Sequence, residues 1–324
     1  MPTRISAPSK TFLLGEYAVL EDLPGLILAT EPRFTLTIGE KISPTPFHPE
    51  SPAGRLLATQ PLTTPYSFDD PHAGAGGLGA SSAEFLLSWS TQHISGDELS
   101  PNSSSKTVGG RDSRHRAPGM ASCVFLKKNL DTILELENAF KRHTPHQATT
   151  PPSGYDIIGQ LCGDITYYCR QTNTLDTLNW PFENLAYVVI RTGHKLATHE
   201  HLKQLHKPNN INQLAEIVNT GHQAIKAANA EAFCTAINDY AEALSAAQLV
   251  APHTQRLLTA LKTLPYIRAA KGCGAMGADT VLAILNPQDM LEFRAFLATE
   301  NLNIVAAGQQ TSPGIHIDET DHTS

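Results

Sequence analysis

Four glycines in six residues, Gly74-Ala75-Gly76-Gly77-Leu78-Gly79, lead directly into Ala80-Ser81-Ser82-Ala83-Glu84 and then into the apolar run Phe85-Leu86-Leu87-Ser88-Trp89. Glycine tolerates positive φ and lets a ligand approach bare backbone. A helix N-terminus adds N–H groups without intrahelical partners and the positive end of the macrodipole. Together they suit an anion, most often phosphate. No Gly-Lys-Ser/Thr closes the loop, so it is not a Walker A sequence, and the dinucleotide-binding glycine pattern is absent. A second glycine-rich stretch is Lys271-Gly272-Cys273-Gly274-Ala275-Met276-Gly277-Ala278-Asp279. Between the two stands Pro151-Pro152-Ser153-Gly154-Tyr155-Asp156. Its aspartate sits near a helix start, where an N-cap is the plain reading.

Residues 4–14 read as a strand, a turn at Pro8 and a second strand, and Gly15–Leu20 as a compact turn or short helix. Strands are expected at 26–30 and 34–38, the latter from its period-two alternation. Residues 43–75, rich in Pro, Ser and Thr, read as loop with some strand. Helices are expected at 82–94, 120–142 and 156–169. A buried strand follows at Tyr187–Ile190, then helices at 198–206, 211–228, 230–247 and 252–264. A loop at 268–279, a strand at 280–285, a helix near 287–300 and a strand at 304–307 complete the reading. The polar stretch 96–119 reads as a mobile surface loop; its Lys106, Arg111 and Arg114 would suit a lid over a nucleotide. No internal repeat is present. A domain boundary falls near Asn179-Trp180-Pro181, dividing the chain into 1–180 and 181–324.

The chain has 324 residues and a net charge of −7, with 41% apolar and 17% charged residues. A sizeable core can therefore form. The acidic balance argues against nucleic acid or an anionic membrane as partner. A phosphorylated ligand must then be held by local groups. Five cysteines without a CxxC pair suit reduced thiols. No run of about 18 apolar residues occurs and no basic, apolar leader opens the chain, so no membrane span and a cytoplasmic location are expected. The histidines show no metal-ligand spacing.

Three segments stand in a recognisable order. Ala7-Pro8-Ser9-Lys10-Thr11-Phe12-Leu13-Leu14-Gly15-Glu16-Tyr17-Ala18-Val19-Leu20 resembles the first motif of the GHMP kinases, the family of galactokinase and of homoserine, mevalonate and phosphomevalonate kinases. Gly77-Leu78-Gly79-Ala80-Ser81-Ser82-Ala83 resembles their phosphate-binding second motif, and Gly272–Asp279 their third. The sequence departs from the pattern at Ser9, Ala80, Met276 and Ala278. Pro152-Ser153-Gly154-Tyr155-Asp156 is similar to the substrate motif of the isoprenoid branch. Tyr17, where mevalonate kinases usually carry histidine, favours the phosphomevalonate kinases.

The resemblance implies an α+β, two-domain GHMP kinase fold: an N-terminal domain like domain 2 of ribosomal protein S5 and a ferredoxin-like C-terminal domain, with the site in the cleft between them. It implies ATP and Mg²⁺ as cofactors and phosphoryl transfer to 5-phosphomevalonate. Mevalonate is the alternative acceptor, and a metabolite-sensing protein without activity a further alternative. The quaternary state is expected to be monomer or homodimer. Gly76, Gly77, Leu78, Gly79, Ala80, Ser81 and Ser82 would hold the nucleotide phosphates. Ser81 would ligate Mg²⁺, with Glu137 completing the metal site and Glu135 as the other candidate. Asp156 would take or orient the proton of the attacking hydroxyl, with Lys10 beside it. Glu16, Tyr17, Ser153, Gly154, Lys195, Gly274 and Ala275 would line the acceptor side. Of these, Glu16 would chiefly hold the first loop, and Lys195 with Arg191 would meet a second phosphate.

Overall fold

The computed structural model describes residues 3–39, 47–93, 130–145, 152–194 and 210–318. The expected loop 96–119, the start of the helix expected at 120, the helix at 198–206 and Lys195 lie outside these residues.

Two antiparallel sheets organise the chain. In the first, strands run in the order β10 (His316–Asp318), β1 (Thr3–Leu14), β2 (Gly25–Ile38), β4 (Ile165–Cys169) and β5 (Thr174–Leu178), and β3 (Tyr66–Asp69) pairs with β2. The second runs β7 (Ile267–Cys273), β8 (Thr280–Leu285), β6 (Ala186–Arg191), β9 (Asn303–Gly308). Helices complete an α+β fold: α1 (Pro52–Thr59), α2 (Ala80–His93), α3 (Leu130–His143), α4 (Tyr155–Cys162), α5 (Ile211–Lys226), α6 (Ala230–Ala246), α7 (Pro252–Lys262) and α8 (Met290–Thr299). Among the described residues no helix is long and apolar enough to cross a membrane.

Ile5 to Leu14 are all buried, which fits a central strand covered on both faces. Pro8 does not break this strand in two as expected. The pairing with β2 shifts register between Pro8 and Ser9, and that irregularity accommodates the missing N–H. The two strands expected at 26–30 and 34–38 are likewise one, β2. The helix expected over 156–169 stops at Cys162. Gly163 and Asp164 both take positive φ there, and the β-favouring Ile165-Thr166-Tyr167 then starts β4. The stretch 268–279 is strand β7 up to Cys273, so only its second half is a turn. α1, β5 and β10 carried too little periodicity to be read from sequence.

α2 and α4 lie on the first sheet, where Ile5, Phe12, Ile27, Phe85, Leu86, Ile158 and Leu161 share one cluster. Gly159 permits the close approach of α4: a Cβ there would stand 2.5 Å from Ile27 Cγ2. A second cluster joins both sheets, combining Leu13, Leu14, Leu26 and Leu28 with Val189, Leu282, Ile284, Phe233 and Tyr240. Strand β10 returns to pair with β1, so the last described strand belongs to the first sheet.

Candidate active site

The glycine loop is gripped from two sides. Gly76, Gly77 and Gly79 have φ of 74°, 82° and 92°. A Cβ on Gly77 would lie 2.9 Å from Asp279 Cβ, and one on Gly79 would lie 2.9 Å from Gln160 Nε2 and 3.0 Å from Lys10 Cγ. These two positions therefore require glycine on both conformational and steric grounds. Lys10 N–H donates to Leu78 O at 3.0 Å, and Gln160 Nε2 donates to Gly79 O at 3.1 Å and Pro8 O at 2.8 Å. Upstream, the Asp70 carboxylate accepts from the N–H groups of His72 (2.8 Å) and Gly74 (2.7 Å). Leu78 is buried as an anchor, whereas Ser81, in the first turn of α2, is exposed. Ser82 Oγ turns back to Gly79 O at 2.9 Å.

Lys10 Nζ stands 2.8 Å from Asp156 Oδ1, and the two side chains are 10% and 41% exposed. Asp156 is thus not the N-cap of α4. Gly154, at φ 81°, occupies that position, and Ser153 Oγ accepts from Tyr155 N–H at 3.4 Å. The carboxylate is left for the lysine. Lys10 also lies 5.2 Å from the centre of the Phe12 ring.

The first and third motifs are tied by a pair that sequence reasoning missed. Lys271, fully buried, is ion-paired with Glu16 and donates to Phe12 O at 3.3 Å and Cys273 Sγ at 3.4 Å. Burial alone would lower the lysine's pKa, but Cys273 and Glu16 outweigh it and hold it above the ordinary value. Beside it, Tyr17 OH accepts from Met276 N–H at 3.1 Å, and burial raises the phenol's pKa. Gly274, at φ 86°, turns the chain against Asp279, and Ala275 is buried behind it. Met276 adopts φ 54°, so the departure from glycine there is carried by a non-glycine residue in the left-handed region. Glu16, Tyr17, Gly274 and Ala275 thus come together as one seam.

The remaining expected residues gather elsewhere. Glu137, 3% exposed, sits beside Ser153 and Gly154, and both its oxygens accept from Arg170, with Nε at 3.1 Å from Oε2. Glu135 is paired with His93 at 3.3 Å and is largely exposed. Among the described residues no group of three or more His, Cys, Asp or Glu is placed to hold a metal ion. Arg191, at the end of β6 and opposite Thr280 on β8, has two guanidinium nitrogens, Nε and Nη2, buried without a hydrogen-bond partner among the described residues. Buried cationic donors of this kind are costly unless an anion meets them. On α2, burial first and the Asp70 charge second push Glu84 up to about 7.

No family model matches the chain, and no curated protein matches it. Solved structures do. A mevalonate kinase aligns at 18% identity and a TM-score of 0.64, covering 95% of this chain and 99% of that one. A Streptococcus pneumoniae phosphomevalonate kinase in complex with phosphomevalonate and AMPPNP aligns at 15% identity and 0.65, covering 94% and 99%. A putative homoserine kinase from Listeria monocytogenes aligns at 14% identity and 0.61, covering 98% and 99%. Coverage of nearly the whole length of each neighbour agrees with the architecture expected from the three motifs: the chain has the fold of the GHMP kinases.

Proposed function

We propose that the protein is an ATP- and Mg²⁺-dependent kinase that phosphorylates a small acceptor of the mevalonate pathway, with 5-phosphomevalonate first and mevalonate second. The observation that carries this reading is the Lys10–Asp156 pair, 2.8 Å apart, with Lys10 hydrogen-bonded through its backbone to the glycine loop. In this reading residues 1–180 supply the phosphate cradle and the acid–base pair, and residues 181–324 supply the third motif.

The cradle fits a polyphosphate, because the positive-φ glycines Gly76, Gly77 and Gly79 run directly into the N-terminus of α2. Mg²⁺ bound to ATP neutralises charge that develops on the phosphoryl oxygens. The hydroxyl of exposed Ser81 would be the protein donor to such an ion. Glu137, expected as a second ligand, has both oxygens on Arg170. Asp156, partly open to solvent, takes the proton from the acceptor hydroxyl, a contribution of about 10²–10⁴-fold. Lys10, 2.8 Å from that carboxylate, steadies negative charge on the transferring group. Arg191 supports an acceptor with an anionic end.

A coupled ADP-release assay over mevalonate, 5-phosphomevalonate, homoserine and galactose tests this. Turnover is expected with 5-phosphomevalonate, or with mevalonate if the anion recognised is its carboxylate alone. Tight binding of one compound with no turnover of any would replace the kinase by a metabolite sensor.

A further inference from the structure

Arg170, in the turn between β4 and β5, joins four segments that are remote in sequence. Its guanidinium holds both oxygens of Glu137 on α3. It also donates to the Ser153 carbonyl and pairs with Asp22. Its backbone N–H donates to Tyr155 OH at 3.0 Å, and its cation lies 5.2 Å from the centre of the same ring. Tyr155 OH in turn donates to Leu23 O at 3.0 Å. The Arg170 side chain is 15% exposed, and Glu137 is nearly sealed. A charge so placed would be costly without full pairing, and here every arm of the guanidinium has an acceptor. The residue it surrounds is Gly154, whose missing side chain leaves an added Cβ 3.6 Å from both Arg170 Nη2 and Glu137 Oε1. Two residues on comes Asp156.

The geometry points to Arg170, with Glu137 as its counter-charge, as a positioning residue that locks the Ser153–Gly154 turn and so fixes Asp156 against Lys10. This rests on the kinase reading for its catalytic consequence but not for the clamp itself. A misplacement of about 1 Å at a reacting group can cost about 10²-fold in rate, so a rigid mount for the carboxylate matters. Glu137 then serves the turn, and the magnesium site draws no oxygen from it. Arginine is needed because its planar fork reaches the carboxylate and the carbonyl together, which a lysine ammonium cannot do.

The test combines amide hydrogen exchange with steady-state kinetics on the full chain for Arg170→Ala, Arg170→Lys and Glu137→Gln. Exchange should quicken at residues 153–158 in all three and stay unchanged at 76–83. Turnover should fall by about tenfold or more in Arg170→Ala with the KM for ATP within about twofold, and millimolar guanidinium should restore part of it. Glu137→Gln should leave the Mg²⁺ concentration for half-maximal activity unchanged. Exchange that is unaltered, or that rises evenly over the whole chain, would overturn the clamp. So would a several-fold rise in the Mg²⁺ requirement of Glu137→Gln. If the wild type phosphorylates none of the four acceptors, the kinase reading falls while the exchange result still decides the clamp.

Discussion

The molecule contains two lysine–carboxylate pairs that share the first motif and differ in everything else. Glu16–Lys271 is sealed, with the lysine inaccessible and the glutamate 8% exposed. Lys10–Asp156 is open on its acidic side. The sealed pair joins the turn after β1 to β7, and its ammonium has four partners counting the Tyr240 ring 5.8 Å away. Nothing can reach it, so it can only hold the two sheets in register. The open pair lies against Gly79 and leaves its carboxylate partly exposed. Similar side-chain chemistry is thus fully sealed in one pair and left partly exposed in the other, and only the second suits the catalytic role proposed above.

Either pair can be removed by a single substitution. The largest effect on stability is expected from Lys271→Met, which strands Glu16 in the core. Removing one partner of a buried pair costs about 3–5 kcal/mol. Chemical denaturation should show that loss, and adding Glu16→Gln should recover part of it; no loss would mean the pair is not what joins the sheets. Lys10→Met should do the reverse. Turnover should drop by about 10²–10⁴-fold while thermal stability shifts by only a few degrees, because the carboxylate left behind is partly open to solvent. A melting temperature that collapses with Lys10→Met would erase the distinction between the pairs.

The smallest expected effect concerns Glu84, behind the glycine loop. Its folded pKa, about 7, lies above its ordinary 4.5. Its stabilising contribution is therefore complete below about pH 4.5 and is lost as pH rises through 7. Glu84→Gln should flatten that part of the stability–pH curve and stabilise the protein at pH 8 by roughly 1–2 kcal/mol after allowance for solvent screening. Identical curves for the two proteins from pH 5 to 8 would remove the effect.

The parts of this arrangement that were legible in sequence are those whose chemistry restricts residue type. Gly77 and Gly79 have no room for a side chain, Lys10 and Asp156 follow recognisable neighbours, and the order of the three motifs pointed to the fold. What escaped was set by distance along the chain. Lys271 meets Glu16 across 255 positions, and Gln160 meets Pro8 across 152. A lysine within the small-residue run of β7 was the only local sign of the first, and α4 gave no sign of the second. Arg170 drew no notice in the sequence because its acceptors, Glu137, Ser153 and Asp22, lie on three other segments. The end of α4 at Gly163 was hidden by the apolar residues that continue into β4.

Asp156, held by Lys10 at the edge of the glycine loop, is the group proposed to handle the proton of the phosphoryl acceptor. Asp156→Asn keeps the shape and removes the base. In the ADP-release assay it should lower kcat by at least about tenfold while the KM for ATP barely moves. An Asp156→Asn protein that turns over at the wild-type rate would contradict the account.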